Sequence, residues 1–431
     1  MTEILNDLFC TTDSEAAEGL DHLHQSLCNG EIPDITEADI AAVEDDSIPA
    51  DEAQSTLLLQ ADENLLQNHS YLGDFYGVGC AETGQYYLLA NDVSGNSAGF
   101  PKLGRIVSAE EYHALMDDPS ATLEGCTLFG AYVDGCWSFR LLDECRSYVS
   151  LLAFGLVSRL FSRNKGLLES DSMMEKTAII VGQGSAGSMV ALYLARSGVG
   201  RFILIDNDIL DIHNICRHQL DHHALGQYKV DAMRKAILGI NPKADVKVFR
   251  GWLEDAPMEL FSDVKDGIVV GTADVMAANA LANELAKKLN IPFSAVGGWT
   301  RCHAGEVFYW KPDSSLSPYG KAFHGLIAAS DPHPHANPDY FADDHDRETL
   351  NYEPGTAVDL GFITMVSLKF DLDLINLNNE HYTPRVLNDY TNYTLICNTN
   401  NPKLGGENAV MFPKPMYISS NITLSADAPH A

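Results

Sequence analysis

Basic residues and paired cysteines are both scarce in this sequence, and each shortage argues against a class of protein. The 431 residues include 28 Lys and Arg against 60 Asp and Glu, which gives a formal net charge of -32 at pH 7. Nucleic acid and anionic membrane surfaces repel such a chain, so we expect neither as a partner. The nine cysteines are scattered and form no C-x-x-C pair, which favours reduced thiols over a disulfide framework or a zinc ribbon.

Long apolar runs are also missing. No stretch approaches the roughly 20 apolar residues that a membrane-spanning helix needs. The acidic start, Met1 to Asp21, lacks the basic and apolar regions of a signal peptide, so we expect a cytoplasmic protein. A hydrophobic content of 45% is ordinary for a globular chain of two or three domains.

The most informative stretch runs from Lys176 to Asp208. Its β-branched run, Thr177 to Val181, predicts a buried strand, and Gly182, Gly184 and Gly187 follow in the order G-x-G-x-x-G. Apolar residues at helical spacing come next. The stretch therefore predicts a strand, a tight glycine turn and a helix, which is the arrangement of a dinucleotide-type binding motif.

Each glycine has a separate task in such a turn. The first permits the bend, the second lets backbone N–H groups approach a phosphate, and the third lets the helix pack on the strand. A second apolar run, Phe202 to Ile205, ends in Asp206, where a carboxylate can accept hydrogen bonds from ribose hydroxyls. We therefore predict a nucleotide site; the alternative is a turn needed only for helix–sheet packing.

Changes in composition and hydrophobic pattern along the chain divide it into three predicted domains. Residues 1–67 are predicted to be an acidic helical arm, and residues 68–150 a small α+β recognition domain. In residues 151–431 strands alternate with helices, which predicts an α/β domain with a doubly wound, mostly parallel sheet. Residues 311–354 have little periodicity and are predicted to be one long functional loop.

Two local predictions concern the chain before the glycine motif. Ser108, with Glu111 three residues on, predicts a capped helix inside the small domain. The apolar stretch Tyr148 to Leu168 is predicted to be helical and to lead into the nucleotide domain.

A second set of polar residues accompanies the glycine motif. In order along the chain, the set contains Arg163 in S-R-N-K-G-L-L, Asp206 and Asp208, Asn214 and Arg217 in H-N-I-C-R-H, Lys229 in G-Q-Y-K, and Asp274 in G-T-A-D. Together these residues resemble the adenylation domain of the ThiF/MoeB family, the ubiquitin-activating superfamily, and the segment around Arg163 resembles the family's arginine-bearing entry segment. The resemblance covers roughly residues 159–375 and implies a Rossmann-like fold.

This resemblance implies carboxyl adenylation with ATP and Mg²⁺. The C-terminal carboxylate of a partner protein or peptide would attack the α-phosphate and form an acyl-adenylate. The implied roles are ATP phosphates on Gly182, Gly184 and Gly187, ribose on Asp206, phosphate contacts from Asn214, Arg217 and Lys229, Mg²⁺ on Asp274, and Arg163 acting across a homodimer interface. Taken singly, Arg217 and Lys229 are most often surface charges, Asp274 can be a helix N-cap and Asp208 can serve turn chemistry alone.

The sequence also departs from the family pattern. Many relatives carry paired zinc cysteines and a catalytic cysteine in the crossover loop, and residues 311–354 contain no cysteine. Cys302, between Arg301 and His303, is therefore the candidate acyl acceptor, with an ordinary strand cysteine as the alternative. His218 stands where the family commonly has Gln, and we assign it no catalytic role.

Several functions fit these residues. The first is activation of a ubiquitin-like protein, with the N-terminal extension recruiting that protein or a conjugating enzyme. The second is activation of a small sulfur carrier or adenylation of a ribosomal peptide. An NAD(P)-dependent oxidoreductase would leave Arg217, Lys229 and Asp274 unexplained, and a non-catalytic regulatory subunit would not need the whole phosphate-binding set.

Overall fold

The computed structural model describes residues 57–91, 98–299, 302–321, 355–405 and 412–423. The predicted arm as far as residue 56 and the predicted loop from residue 322 to 354 lie outside the described residues. Leu58–Cys80 and Gln85–Ala431 belong to one compact unit, which contains both parts described below. Within the described residues, no helix has the length and apolar character needed to cross a membrane.

The first part of this unit is a closed barrel of seven strands, ordered β1-β3-β2-β4-β5-β6-β7. Parallel pairing between the last and first strands closes it. Phe75 and Phe139 are fully buried and pack edge to face at 6.1 Å between ring centroids, whereas the buried Phe129 packs against Tyr112 of the helix Ala109–Asp117. The strands are β1 (Leu58–Asp62), β2 (Gly73–Cys80), β3 (Gln85–Ala90), β4 (Lys102–Ile106), β5 (Leu128–Val133), β6 (Cys136–Leu141) and β7 (Tyr148–Phe154), with helices α1 (Glu63–Leu66) and α2 (Ala109–Asp117) between them.

One local prediction for this region is confirmed and one is wrong. Helix α2 begins after Ser108, whose hydroxyl accepts the N–H of Glu111, as the capping pattern predicts. The predicted helix Tyr148 to Leu168 is wrong at its start, because Tyr148–Phe154 forms β7 and only α3 (Leu156–Leu160) is an α-helix directly after it. Strand β7 is antiparallel to the preceding strand β6 and parallel to β1, a partner distant in sequence that a local apolar pattern cannot reveal.

The barrel runs from β1 through β7, whereas the predicted small domain covers residues 68–150. Strand β1 lies in the segment assigned to the acidic arm, and β7 continues past residue 150. The division into three domains stays a prediction.

The second part of the unit is a sheet of eight strands, and it confirms the predicted α/β class. The order is β10-β9-β8-β11-β12-β13-β14-β15. The first five strands in this order are mutually parallel, and the last three add antiparallel pairs. The strands are β8 (Thr177–Val181), β9 (Arg201–Ile205), β10 (Asp245–Phe249), β11 (Gly267–Gly271), β12 (Phe293–Gly298), β13 (Ala304–Trp310), β14 (Tyr393–Cys397) and β15 (Tyr417–Ile422).

Helices cover both faces of this sheet. Ile180 packs in a core cluster with Val190 and Phe370, whereas its neighbour Ile179 packs on the opposite face with Ala282. Because side chains alternate along a strand, burial on both faces requires the continuous apolar run that marks β8 in the sequence. The helices of this part are α4 (Ser170–Glu175), α5 (Ser185–Arg196), α6 (Lys229–Ile240), α7 (Met276–Leu289), α8 (Ala357–Ile375) and α9 (Pro402–Gly405).

Parallel pairing brings the carboxyl ends of β9, β8 and β11 together at one edge of the sheet. Gly182 follows β8, Asp206 follows β9, and Thr272 follows β11. In open α/β sheets, ligands bind at this edge, outside the carboxyl ends of the strands. The topology therefore makes the loops that contain these residues the candidate ligand site.

Candidate nucleotide site

The three glycines form the turn between β8 and α5, and each is required for a different geometric reason. Gly182 has φ +93°, a left-handed conformation that favours glycine. Gly184 is the N-cap of α5, and a Cβ built on it meets nothing within 4 Å. Gly187 lies so close to the turn that its Cβ would stand 2.0 Å from the carbonyl oxygen of Gly182. A side chain at Gly184 would thus point into open space, whereas a side chain at Gly187 would prevent α5 from packing against the turn.

Two side chains from neighbouring strands hold the turn. The Thr272 hydroxyl donates to the carbonyl oxygen of Gly182 at 2.8 Å. The Asp206 carboxylate accepts the N–H of Gln183 at 2.5 Å and that of Asp208 at 2.7 Å. Thr272 was not a predicted site residue, although it lies in the same G-T-A-D segment as Asp274.

Asp206 keeps acceptor capacity for a ligand, because each of its oxygens accepts only one of these N–H groups and a carboxylate oxygen has two lone pairs. Burial raises the pKa of Asp206, while the N–H groups of Gln183 and Asp208 and the charge of Lys229 act in the opposite direction. The carboxylate is therefore partly desolvated and adjacent to a cation, an environment in which hydrogen bonds gain strength.

Lys229 is buried and paired with Asp208. Its Nζ lies 2.8 Å from Asp208 Oδ2, and its side chain is 8% exposed against 60% for the aspartate. The backbone N–H of Lys229 also donates to the carbonyl of Asp208 at 2.9 Å. As the first residue of α6, Lys229 is thus held beside the loop that carries Asp206.

Asn214 and Arg217 belong to the short segment after β9. The side-chain oxygen of Asn214 accepts the N–H of Asp211 at 3.0 Å, and its amide group remains as the donor end. Arg217 lines a small cavity with Ser185 at the start of α5 and Gly361 of α8. The structure therefore brings Arg217 to the helix end at which an anion is favoured.

His218 contacts the glycine turn directly, which the sequence did not indicate. Its ring is buried, with Nε2 2.8 Å from the carbonyl oxygen of Gln183 and Nδ1 accepting the N–H of Leu220 at 3.1 Å. Burial lowers the pKa of His218 to about 4, and the Lys229 charge adds to this effect. The ring is therefore neutral near pH 7.

Asp274 and Cys302 lie on separate loops. Asp274 is exposed after β11, and the N-cap of α7 is Val275 rather than Asp274, so the capping alternative fails. Cys302 is 8% exposed and has φ +50°. Its Sγ would stand 2.6 Å from a Cβ on Gly355, and Arg217 Nη1 would stand 3.8 Å from the same atom.

Arg163 is not close to the glycine turn of its own chain. It is exposed in a 3-10 turn, Ser162–Asn164, and Asn164 donates to the carbonyl of Arg196, the last residue of α5. Helix α5 begins at Ser185, directly after the glycine turn, so about 16 Å of helix at 1.5 Å per residue separates Arg196 from that turn. The structure therefore brings the other predicted nucleotide residues together and leaves Arg163 apart.

The residues at this edge fit a nucleoside triphosphate and one Mg²⁺ ion. The open space beside Gly184, the first amides of α5 and the nearby Arg217 suit phosphate groups. Among the described residues, no group of three or more His, Cys, Asp and Glu side chains is arranged to hold a metal ion. Mg²⁺ does not need one, because one or two carboxylates and the substrate phosphates usually bind it.

Part of the chain matches known proteins. The model of the ThiF family matches residues 160–335. The tRNA threonylcarbamoyladenosine dehydratase of Bacillus subtilis (strain 168) is 36% identical over 139 residues, which cover 31% of this chain and 54% of that protein. The molybdopterin-synthase adenylyltransferase of Escherichia coli (strain K12) is 31% identical over 112 residues, covering 26% and 45%.

A further relative carries the name ubiquitin-like modifier-activating enzyme 5 and comes from Caenorhabditis elegans. It is 29% identical over 148 residues, which cover 30% of this chain and 35% of that protein. The chain thus matches between about a third and about half of the length of these three relatives.

The different tasks of Gly184 and Gly187 give a first test. Gly184→Ala should leave the folded protein within about 1 kcal/mol of wild type, because its Cβ enters open space at an ordinary φ of -75°. It should weaken ATP binding, since the methyl group occupies the space beside the turn. Gly187→Ala should lower the unfolding free energy by about 2 kcal/mol or more through the clash with Gly182.

Chemical denaturation and titration calorimetry with ATP check both variants. Equal losses of stability in the two variants would contradict the separate roles. Gly239→Ala is the matched control, because a Cβ on Gly239, within α6, also meets nothing within 4 Å and this glycine is distant from the turn in sequence.

Proposed function

We propose, from the match of residues 160–335 to the ThiF family, that this chain uses ATP to adenylate the C-terminal carboxylate of a ubiquitin-like protein. The product is activated for transfer to a thiol or to a conjugating enzyme. One observation carries the proposal. The glycine turn, Asp206, the Asp208–Lys229 pair and Arg217 meet at one edge of the sheet, next to the start of α5.

The chemistry needs positioned charge more than covalent help. A carboxylate oxygen of the partner attacks the α-phosphorus, the bond from that phosphorus to its bridging oxygen breaks, and pyrophosphate leaves with the electron pair. Lys229 supplies a point charge and Arg217 a bidentate clamp for phosphate oxygens. We assign Asn214 to a phosphate oxygen, Asp206 and Asp208 to the nucleotide, and Asp274 to Mg²⁺, which would neutralise phosphate charge.

The names of the relatives support an activating enzyme but differ in substrate. The Caenorhabditis elegans relative is named for a ubiquitin-like modifier and the Escherichia coli relative for molybdopterin synthase. The Bacillus subtilis relative is named for a tRNA nucleoside, but a net charge of -32 makes a polyanionic substrate unfavourable for this chain. A sulfur carrier or a ribosomal peptide is the alternative substrate, and an NAD(P)-dependent oxidoreductase is less consistent with the cations beside the turn.

The direct test is exchange of radiolabelled pyrophosphate into ATP, with and without a ubiquitin-like partner. Exchange should require the partner's free C-terminus, and Asp274→Ala should lower it by about 10²- to 10³-fold, the usual effect of removing one charge-stabilising group. Asp255→Ala, at another exposed aspartate of the same domain, is the control and should exchange as wild type does. Wild-type exchange from Asp274→Ala would remove the metal role, and tight NAD(H) binding without any exchange would favour the oxidoreductase.

A homodimer is part of the proposal because Arg163 lies at the wrong end of α5 to serve its own glycine turn. Exposed apolar side chains lie near it in the sequence, with Leu160 40% and Leu167 65% exposed, and Tyr193 of α5 is 39% exposed. Contiguous apolar surface marks protein interfaces, and these side chains are candidates for such a surface. We therefore propose that Arg163 of one protomer acts at the site of its partner.

Mixing two inactive variants tests this arrangement. Arg163→Ala and Asp274→Ala each lose exchange, but a mixed dimer has one site with both residues intact. After subunit exchange at equal amounts, the mixture should regain about one quarter of the wild-type activity, since half of the dimers carry one intact site of two. Absence of recovery at every mixing ratio, with subunit exchange verified by mass spectrometry, would argue for a role within one chain or for none.

Cys302 is the proposed thiol acceptor of the activated carboxylate. Its Sγ lies close to Gly355, and the guanidinium of Arg217 lies near the same glycine. The thiolate is the reactive form of cysteine, and a nearby cation suits the role of acceptor. Cys397, which is fully buried in β14, is the comparison residue in the same sheet.

Replacement of each cysteine separates adenylation from thioester formation. Cys302→Ser should retain partner-dependent pyrophosphate exchange but lose the conjugate that dithiothreitol releases on a denaturing gel. Cys397→Ser should retain both. A dithiothreitol-sensitive conjugate that persists in Cys302→Ser would exclude this residue as the acceptor.

A further inference from the structure

The tautomer of His218 follows from its two hydrogen bonds. Nδ1 accepts the N–H of Leu220, so Nδ1 carries no proton in the neutral ring. The proton is therefore on Nε2, which donates to the carbonyl oxygen of Gln183 at 2.8 Å. The ring is 7% exposed, so water competes little for either bond.

The turn contains two successive peptide planes, and they are held differently. The plane between Gly182 and Gln183 is fixed at both ends, because Thr272 donates to its carbonyl and Asp206 accepts its N–H. The plane between Gln183 and Gly184 is held at its carbonyl by His218. A trans peptide is planar, with its C=O and N–H pointing in opposite directions. The bond from His218 therefore sets the direction of the Gly184 N–H.

The Gly184 N–H is the first backbone donor at the N-terminal end of α5. The first amides of a helix have no partner within the helix, and α5 has no side-chain cap at Gly184. The space beside Gly184 is open to 4 Å, so a phosphate oxygen can approach this donor. A glycine turn left unrestrained would populate several orientations of the same peptide.

We propose that His218 is a positioning residue, which holds the Gln183–Gly184 peptide so that the Gly184 amide is directed at a phosphate group of the bound nucleotide. This inference rests on the proposed function, since the nucleotide is its ligand. The competing explanation is a structural one, in which His218 only satisfies the buried carbonyl of Gln183 and the N–H of Leu220.

Glutamine and asparagine at this position separate the two explanations. A Gln amide reaches as far as Nε2 of histidine and can donate to the Gln183 carbonyl, whereas an Asn amide reaches only as far as Nδ1 and can serve Leu220 alone. His218→Gln should therefore keep the turn ordered, and His218→Asn should release it. His223→Asn, at a side chain 96% exposed, is the control.

Two measurements are made on each full-length variant. Amide hydrogen exchange across residues 182–188 should be faster in His218→Asn and unchanged in His218→Gln. In titration calorimetry, the Kd for ATP should rise about tenfold in His218→Asn, the effect expected when a buried carbonyl loses its donor. The Kd for adenosine, which has no phosphate, should change less than about threefold, and His218→Gln should stay near wild type for both ligands.

Three results would contradict the positioning role of His218. Equal losses of ATP and adenosine affinity, or a lower unfolding midpoint in His218→Asn with unchanged ATP affinity, would overturn the positioning role in favour of the structural one. Unchanged exchange across the turn would overturn it as well. If the wild-type protein binds no ATP, the proposed function and the phosphate ligand fail together, while the exchange data still decide whether His218 orders the turn.

Discussion

Helix α5 can lie against strand β8 only because Gly187 has no side chain. The carbonyl of Gly182 occupies the space that a Cβ would need, at 2.0 Å. This close approach brings the first turn of α5 over the carboxyl end of β8 and directs its unpaired amides at the edge of the sheet. The partial positive charge of the helix end is then available to an anionic ligand.

Glycine makes the turn possible but does not hold it in one conformation. Glycine loses more conformational freedom on folding than any other residue, at a cost of about 0.5 to 1 kcal/mol relative to alanine. Side chains from three other segments offset this freedom. Thr272, Asp206 and His218 each bond one backbone group of the turn, so the donors are oriented before any ligand arrives. Attack at phosphorus depends on such prior orientation, because the protein contributes position and charge.

The candidate site places two cations near the start of α5 in a chain that is otherwise strongly acidic. Lys229 is buried beside Asp208, and Arg217 lines a cavity at the start of α5. Lys229 is buried and Arg217 is half-buried. Solvent therefore screens their charges less than it screens a fully exposed charge, which strengthens their attraction for a bound phosphate. If the proposed function holds, this acidic charge would favour association with a partner that carries basic patches and would orient the encounter.

The sequence alone determined the elements and the chemistry that depend on local pattern. The strand Thr177–Val181, the glycine turn, the helix that follows the turn and the cap at Ser108 follow from hydrophobic period, glycine spacing and capping residues, and the structure contains each of them. The α/β class followed in the same way, because alternating strands and helices imply parallel pairing.

Only the tertiary structure decided what depends on contacts between distant segments. Tyr148–Phe154 completes the barrel because the distant strand β1 pairs with it. His218 bonds the turn because its segment lies against Gln183, 35 residues earlier in the chain. Burial of Glu306, which accepts hydrogen bonds from Trp299 and Tyr393, raises the pKa of that carboxyl to about 7 for the same kind of reason. A sequence pattern records which side chains are present, whereas pairing partners, desolvation and tautomers arise from neighbours that only folding brings together.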